Sequence, residues 1–280
     1  MYQGRTDINT TNTRPFLKWP GGKYRLINKI REALSDGRRL IEPFTGSGAV
    51  FLNTDYEDYL LADSNPDLIT LYQQLSDEGK SFIRYCQKFF SQQNNSKQIY
   101  YRYRDEFNTT SRLRRKSALF LYLNRHCYNG LVRYNKSGEF NTPFGLHKSP
   151  YFPEKEMKKF CNAAKKAEFI NQNFKECLGN ATRGDIVYCD PPYAPLSKTA
   201  NFTDYHSDGF NWEDQLELAE IAGKLAGEGV KVVVSNHDVP QIKSLYQSCG
   251  ANIQQFTVQR MISSDTANRG RAGELIATFG

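Results

Sequence analysis

Leu40-Ile-Glu-Pro-Phe-Thr-Gly-Ser-Gly48 is an apolar segment that ends in a glycine turn, a pattern typical of the first strand of an α/β fold. Residues 40–44 are predicted to form a buried strand, and the Gly46/Gly48 turn is predicted to open a helix that runs to about Leu52. Tyr59-Leu-Leu-Ala-Asp63 then predicts a second strand that ends in an acid. A strand, a glycine turn with a helix and a second strand begin a parallel sheet covered by helices on both faces.

The same alternation returns after residue 166. Five further segments are predicted to form strands, the last two as an antiparallel pair: 167–171, 185–189, 230–235, 253–260 and 274–279. Asn211 with Asp214 predicts a capped helix that ends near Gly227. We therefore expect an α/β fold with a doubly wound, Rossmann-like core.

Residues 66–158 interrupt this alternation with helical, aromatic and basic sequence. We expect residues 1–65 and 159–280 to form one discontinuous domain, and residues 66–158 to form an inserted, mostly helical domain. Within the insert, Leu113–Arg125 is predicted to be a helix.

The insert concentrates the positive charge. Residues 97–166 carry 16 Lys and Arg against five Asp and Glu, whereas the net charge of the whole chain is only +7. Tyr100-Tyr-Arg-Tyr-Arg104 and Arg112-Leu-Arg-Arg-Lys116 interleave aromatic and basic side chains. Such a surface suits the phosphates of a nucleic acid, and an ordinary solvated basic face is the alternative.

A β-hairpin is predicted between Asn129-Gly130 and Ser137-Gly138, because both are turn dipeptides. A two-stranded ribbon fits the major groove of DNA. On this ribbon Arg133 has the donors to pair with a guanine edge, and Leu131 with Pro143 offers apolar contact to a thymine methyl group.

Composition excludes several classes of protein. With 39% hydrophobic and 24% charged residues in 280, the chain is neither disordered nor a membrane protein. Residues Met1–Thr10 lack the apolar core of a signal peptide, so we expect a cytoplasmic protein. The six cysteines and four histidines show no metal-ligand spacing, so we expect reduced thiols and no metal. We further expect a monomer in solution.

Asp190-Pro-Pro-Tyr193 follows the strand predicted at 185–189. The two prolines fix their φ angles and remove two backbone donors, which leaves the Pro191 carbonyl free to accept a hydrogen bond beside the Asp190 carboxylate. Tyr193 adds a flat aromatic face. The tetrapeptide therefore suits a planar base that carries an amino group, although a simple strand-ending turn is the alternative.

Other nucleotide-binding motifs are incomplete. Gly46-Ser-Gly48 lacks the third glycine of the dinucleotide fingerprint, and Leu17 stands where a P-loop ending at Gly21-Gly-Lys23 needs its first glycine. Neither a dehydrogenase nor an NTPase is supported.

Taken in order, the motifs resemble those of the Dam-type DNA adenine methyltransferase family. The resemblance rests on Arg14–Lys23, the glycine turn, Asp63, the segment Tyr128–Gly145 and the Asp190 tetrapeptide, and it runs from about Phe16 to Thr278. It implies methyl transfer from S-adenosyl-L-methionine to the 6-amino group of adenine in double-stranded DNA, within GATC, after the base is flipped out. Cytosine ring-carbon methylation, which needs a Pro-Cys nucleophile, is excluded because none of the eleven prolines precedes a cysteine.

The motifs and the resemblance together assign roles to individual residues. Catalysis is expected from Asp190, Pro191, Pro192 and Tyr193. Cofactor contacts are expected from Trp19, Lys23, Phe44, Gly46, Gly48, Asp63, Asn173, Phe174 and Asp190. DNA contacts are expected from Lys18, Tyr128, Asn129, Leu131, Arg133, Asn135, Asn141 and Pro143. Lys18 is expected to read the first guanine, Tyr128 and Asn129 to fill the space of the flipped base, and Asn135 and Asn141 to lie near the DNA backbone.

The chain departs from the family pattern at two places. Leu146-His147 stands where a basic and then an aromatic residue are expected, and Asp265 stands where Asn is expected. DNA contacts from these positions are therefore in doubt. The alternatives to GATC methylation are the same chemistry at another DNA site, as in restriction–modification or phage enzymes, on a cytosine amino group or on RNA, or a catalytically silent DNA-binding homologue. The segment 195–210 is expected to close over the bound base.

Overall fold

The computed structural model describes residues 12–193, 210–259 and 271–280. Most of the 195–210 segment, His206, Asp265 and residues Met1–Thr10 lie outside these ranges. Seven strands are described: β1 (Arg39–Glu42), β2 (Asp58–Asp63), β3 (Ala167–Asn171), β4 (Ile186–Cys189), β5 (Lys231–His237), β6 (Asn252–Gln259) and β7 (Arg271–Phe279). The described α-helices are α1 (Ile27–Ala33), α2 (Pro66–Glu78), α3 (Lys80–Gln87), α4 (Lys97–Thr109), α5 (Leu113–His126), α6 (Glu154–Ala163), α7 (Phe174–Leu178), α8 (Trp212–Gly227) and α9 (Pro240–Ser248).

The strands form one sheet in the order β3-β2-β1-β4-β5-β7-β6. The first five run parallel, and β7 pairs antiparallel with both β5 and β6. The strand order reverses direction between β1 and β4, and doubly wound folds bind ligands at the carboxyl ends of the strands at such a switch point. The expected doubly wound α/β fold is confirmed.

The prediction of a helix after the glycine turn is wrong. Only a single 3-10 turn, Phe51–Asn53, follows Gly48. Side chains take the carbonyls that a continuing helix would use, because Asn53 Nδ2 donates to the Ala49 carbonyl and Thr54 Oγ1 donates to the Val50 carbonyl. Such local bonds compete with helix formation.

The insert is joined to the sheet by packing. Helix α2 lies against both β3 and α5, and one cluster of buried apolar residues runs from Leu61 and Phe169 of the sheet to Leu119 of α5. Helix α5 occupies almost the range expected for it. The strands of the sheet, β1 to β7, lie outside residues 66–158, while the division of the chain into two domains stays a prediction.

The expected hairpin takes the form of a short antiparallel ribbon, residues 131–143, which we call the ribbon. Its strands meet at the bridge between Tyr134 and Phe140, and Asn141 N donates to the Arg133 carbonyl. At the tip, the Asn135 carboxamide accepts hydrogen bonds from the backbone N–H groups of Ser137 and Glu139. Asn135 therefore holds the turn of the ribbon with its own side chain.

In the part of the chain that the structure describes, no helix is long and apolar enough to cross a membrane. The same residues include no group of three or more His, Cys, Asp or Glu side chains placed to hold a metal ion. All six cysteines are free thiols.

Candidate active site

A cavity of about 400 Å³ opens at the carboxyl ends of β1 and β4. It brings together the N-terminal motif, the glycine turn, Asp63 and the tetrapeptide. The expected site residues that line it are Trp19, Lys23, Phe44, Gly46, Asp63, Asp190, Pro191, Pro192 and Tyr193. Most of the residues that line this cavity were therefore expected from the sequence, although they come from segments that are far apart in the chain.

Asp63 and the glycine turn are bonded to each other. Gly46 N donates to Asp63 Oδ2 at 3.0 Å, and Asn65 N donates to Asp63 Oδ1 at 2.9 Å. Gly46 has φ +47°, and a Cβ there would meet Trp19 Nε1 at 3.0 Å, so only glycine suits this turn. Burial raises the pKa of Asp63, and the two backbone N–H groups oppose that rise. Asp63 does not cap α2, because the Asn65 side chain does.

Three expected cofactor residues lie beside the cavity. Gly48 faces the core, where a Cβ would contact Phe51 and Phe160. The Phe174 ring stacks on Phe44 with centroids 5.6 Å apart. Asn173 forms the exposed N-cap of α7 in a capping box. Phe174 thus supports a ring that lines the cavity, and Asn173 has a structural role at its edge.

Lys23 forms a buried ion pair with Asp190. Its Nζ lies 2.7 Å from Asp190 Oδ1, and it also donates to the Tyr193 hydroxyl at 2.7 Å. Lys23 is only 5% exposed, so it is not a surface lysine. Burial by itself would lower the pKa of Lys23, but Asp190 and Tyr193 raise it above its usual value. Lys23 is therefore a permanent cation beside the Asp190 carboxylate.

Side chains at the carboxyl end of β5 hold the Asp190–Tyr193 tetrapeptide in place by hydrogen bonds. Sequence analysis did not predict these contacts. Ser235 Oγ donates to Asp190 Oδ1 at 3.1 Å. Asn236 Nδ2 donates to Gln215 Oε1, and Gln215 Nε2 in turn donates to the Pro192 carbonyl at 2.9 Å. Three consecutive polar residues at the end of an apolar strand, Ser235-Asn236-His237, were the available signal.

Tyr193 is already engaged by side chains of the chain itself. Its ring lies on the His237 ring with centroids 3.6 Å apart, and its hydroxyl donates to the Glu274 carboxylate at 3.1 Å. Burial, more than any neighbouring charge, raises the pKa of Tyr193 to about 12. His237 thus contacts the tetrapeptide, and so does Glu274.

Glu42 is a further cavity residue that sequence analysis missed. It ends β1, lines the cavity and is only 2% exposed. Its Oε1 is buried and has no hydrogen-bond partner among the described residues. Burial raises the pKa of Glu42 to about 8, where a Phe51 backbone hydrogen bond opposes the rise and the Asp190 charge adds to it. The cavity wall therefore contains a buried oxygen, Glu42 Oε1, that is open to a hydrogen bond from a ligand.

A second group of expected residues lies around the buried side chain of Asn124. Its carboxamide accepts from Lys18 N at 3.0 Å and donates to the carbonyls of Lys18 and Gly130. Gly130 has φ +70°, and a Cβ there would overlap the Lys18 side chain. Tyr128 and Asn129 are exposed just before it, and Asn129 has φ +53°. Asn124 thus joins Lys18 to the loop that carries Tyr128 and Asn129.

On the ribbon, the exposed side chain of Arg133 is held by Asn141. Arg133 Nε donates to Asn141 Oδ1 at 2.6 Å, and Nη2 donates to the Asn141 carbonyl at 3.3 Å. Leu131 is half-buried and Pro143 is exposed. Asn141, expected near the DNA backbone, is therefore the residue that orients Arg133.

Leu146 and His147, which form the first departure from the family pattern, have different surroundings. Leu146 is 79% exposed and has φ +54°, a conformation that L-residues rarely adopt. His147 turns toward the protein, where its Nε2 lies 3.2 Å from the Cys127 carbonyl oxygen.

Several of the interleaved aromatic and basic residues are used inside the protein. Tyr100 and Tyr103 are buried. Arg114 pairs with Glu78, Arg115 with Glu106 and Lys116 with Asp67, each at 2.7–2.8 Å. These side chains are less available to phosphates than the sequence pattern indicated.

A family model described as D12 class N6 adenine-specific DNA methyltransferase matches residues 19–262. The chain belongs to this family. A curated DNA adenine methylase from Vibrio cholerae serotype O1 is 48% identical over 95% of this chain and 96% of its own length. Those from Serratia marcescens and Escherichia coli strain K12 are 47% and 46% identical, each over 95% of this chain and over 98% and 95% of their own. The expected family is confirmed.

As a member of the D12 class, the chain is a DNA adenine methyltransferase, and its family implies a methyl donor of the S-adenosylmethionine type. Among solved structures, the rRNA methyltransferase aviRa from Streptomyces viridochromogenes covers 98% of this chain and 94% of its own, at 11% identity and a TM-score of 0.40. That likeness is too distant to carry an argument.

Proposed function

We propose that this D12 class methyltransferase transfers a methyl group from S-adenosyl-L-methionine to the 6-amino group of the adenine in double-stranded GATC, after flipping that base into the cavity. The observation that carries the proposal is the Asp190 carboxylate, which lies in the cavity at the strand switch point beside the Lys23 ammonium. An acceptor in that position suits an amino group as the substrate.

The cavity residues fit this donor. The unpartnered Oε1 of Glu42 suits the donor's ammonium group, and the Asp63 carboxylate offers acceptors for ribose hydroxyls beside the glycine turn. Trp19 and Phe44 offer flat apolar faces. When bound, the donor would supply a methyl group on a positively charged sulfur: the amino nitrogen would bond to the methyl carbon as the carbon–sulfur bond breaks, and the electron pair would stay on sulfur in a neutral thioether that leaves.

The protein's part in the reaction is to orient the amine and to stabilise its developing charge. The lone pair of the adenine amino group is conjugated with the ring, so the nitrogen attacks poorly while it stays planar. In the proposed mechanism the Asp190 carboxylate and the Pro191 carbonyl accept its two N–H groups. Those hydrogen bonds strengthen as the nitrogen becomes positive, so they favour the transition state over the ground state.

Asp190 also accepts the proton that the nitrogen loses after the new N–C bond forms. Burial raises the pKa of Asp190, and the Lys23 ammonium and the Ser235 hydroxyl oppose that rise. Glu274 and His237 keep Tyr193 at the cavity mouth. We assign to Tyr193 the stacking of the flipped base.

Recognition of DNA is assigned to the inserted domain, residues 66–158, together with Lys18. Arg133 pairs with a guanine edge in the major groove, and Lys18 contacts the other guanine of GATC. Tyr128 and Asn129 occupy the space that the flipped adenine leaves. Leu131 and Pro143 contact the thymine methyl group. Residues 1–65 and 159–280 form the catalytic domain in this proposal, and the enzyme acts as a monomer.

The proposal is tested on unmethylated plasmid incubated with the protein and S-adenosyl-L-methionine. We expect the DNA to resist a GATC nuclease that methylation blocks and to be cut by one that requires methylation. Asp190→Ala should lower the methylation rate by at least about 100-fold, because it removes an acceptor that acts in the transition state, while leaving the dissociation constant for DNA nearly unchanged. Unchanged digestion with no methyl incorporation would contradict the catalytic assignment. Incorporation only outside GATC would contradict the assignment of the ribbon.

A further inference from the structure

Tyr134 ties the ribbon to the body of the protein by its hydroxyl. The hydroxyl donates to Asp67 Oδ2 at 2.8 Å, and Lys116 Nζ lies 2.8 Å from Asp67 Oδ1. The Asp67 side chain is only 11% exposed. A hydrogen bond to a shielded carboxylate is stronger than one between neutral groups. Asp67 therefore holds Tyr134, the residue next to Arg133, in a fixed position.

The Asp67 contact leads directly to the cofactor side of the cavity. Asp67 lies in the first turn of α2, where its backbone N–H donates to Asn65 Oδ1 at 3.0 Å. Asn65 N donates to Asp63 Oδ1, and Asp63 Oδ2 accepts from Gly46 N. Five residues thus form a continuous hydrogen-bonded chain from the glycine turn to the ribbon.

The Arg133 side chain is held by a residue of the same ribbon. This side chain is exposed, and its hydrogen bonds with described residues go to Asn141 on the opposite strand of the ribbon. Those bonds orient the guanidinium within the ribbon but do not fix the ribbon relative to the cavity. Successive side chains of an extended strand point to opposite faces, so Tyr134 faces the protein while Arg133 faces outward. Asn108 and Tyr100 hold the opposite strand at Phe140 and Thr142. The Tyr134 hydroxyl holds the strand of Arg133 itself, next to the residue that faces the DNA.

We propose that Tyr134 is a positioning residue that determines specificity: its bond to Asp67 holds Arg133 at the correct distance from the base being methylated. The inference rests on the proposed function, in which Arg133 reads a guanine. A bidentate contact is lost when its donors move by about an ångström, so a loosened ribbon discriminates less between base pairs. The chemistry at Asp190 does not depend on this bond.

Tyr134→Phe tests the proposal, because it removes one hydroxyl and keeps the ring. The measurement is kcat/KM on short GATC duplexes in which the opposite strand already carries its methyl group, so that one adenine is scored. In a second duplex the last base pair of GATC is replaced. Its guanine is the one assigned to Arg133, because Lys18 is assigned to the first guanine. We expect the ratio between the two duplexes to fall about ten-fold in Tyr134→Phe, the loss typical of one hydrogen bond to a charged group. Cofactor KM and the unfolding temperature should stay near their original values.

Tyr56→Phe is the matched control, because its hydroxyl donates to the Ser35 carbonyl at the amino end of the sheet, away from the cavity. It should keep the original ratio. Asp67→Ala should lower the ratio as Tyr134→Phe does, and the double variant should lower it no further, since both remove the same bond.

Three results would overturn the inference: an unchanged ratio in folded Tyr134→Phe, an equal loss of rate on both duplexes, or additive losses in the double variant. A wild-type enzyme that does not distinguish the two duplexes would instead contradict the proposed function.

Discussion

At the end of β1, the Glu42 carboxyl shares the cavity wall with Asp190 and has one oxygen without a partner among the described residues. Its pKa of about 8 keeps it mostly neutral at pH 7. A cation that binds beside it favours the ionised form, so binding of the donor's ammonium group should release a proton from Glu42. The ionised fraction grows as the pH rises toward 8, and the affinity for S-adenosyl-L-methionine should therefore rise over the same range.

Calorimetric titration of the wild type between pH 6 and pH 8, in buffers of different ionisation enthalpy, measures both effects. Glu42→Gln keeps the size of the side chain and cannot ionise, so its affinity should be lower and should not change with pH through this group. Proton release that persists in Glu42→Gln would contradict the assignment.

The cavity residues also show what a sequence motif can and cannot predict. Asp63, Gly46 and Asp190 were predictable because each combines an unusual residue type with the end of an apolar strand. Glu42 stood inside a quoted motif, yet only the fold shows that its carboxyl is buried without a partner. Glu274 was not predictable, because it reaches Tyr193 through the pairing of β7 with β5.

At the level of elements, Asn141 on the ribbon could either contact the DNA backbone or orient Arg133, and the two roles have different consequences. A residue that contacts the DNA backbone contributes equally on every sequence, whereas a residue that orients Arg133 contributes only where Arg133 reads a base. The 2.6 Å bond from Arg133 Nε to Asn141 Oδ1 supports the second role. Asn141→Ala should therefore lower the preference for GATC over a site altered at the Arg133 guanine by about ten-fold.

The measurement for Asn141→Ala is DNA affinity for both sites over a series of salt concentrations. Its salt dependence should match that of the wild type, because no phosphate contact is lost. An equal loss of affinity on both sites, with a shallower salt dependence, would instead assign Asn141 to the DNA backbone.

Elements were predictable where one periodic pattern dominates. β3 was expected at 167–171 and lies at Ala167–Asn171, and α5 was expected as Leu113–Arg125 and extends to His126. The helix expected after Gly48 failed because Asn53 and Thr54 bond to nearby carbonyls, an effect of particular side chains that periodicity does not record.

At the scale of the whole molecule, the positive charge of residues 97–166 serves two purposes. Arg114 pairs with Glu78 and lies 4.1 Å from the centroid of the Tyr85 ring, whereas Arg112 is exposed just before α5. We expect Arg114→Gln to lower the free energy of unfolding by about 1 kcal/mol, with little effect on DNA affinity. Arg112→Gln should leave stability unchanged and reduce the salt slope of DNA binding by about one.

Urea unfolding and salt-dependent DNA binding of the two variants, made in the same background, check this pair. A weaker DNA complex in Arg114→Gln at unchanged stability would show that the ion pair with Glu78 opens when DNA binds.

The central claim is that one amino group in each strand is methylated, on the adenine of GATC. The most direct measurement uses a duplex that contains one GATC and several other adenines, treated with the enzyme and S-adenosyl-L-methionine and then analysed by mass spectrometry of its nucleosides and fragments. We predict N6-methyladenine, one per strand, in the fragment that contains GATC. Methylcytosine, or N6-methyladenine distributed over the other adenines, would contradict the account.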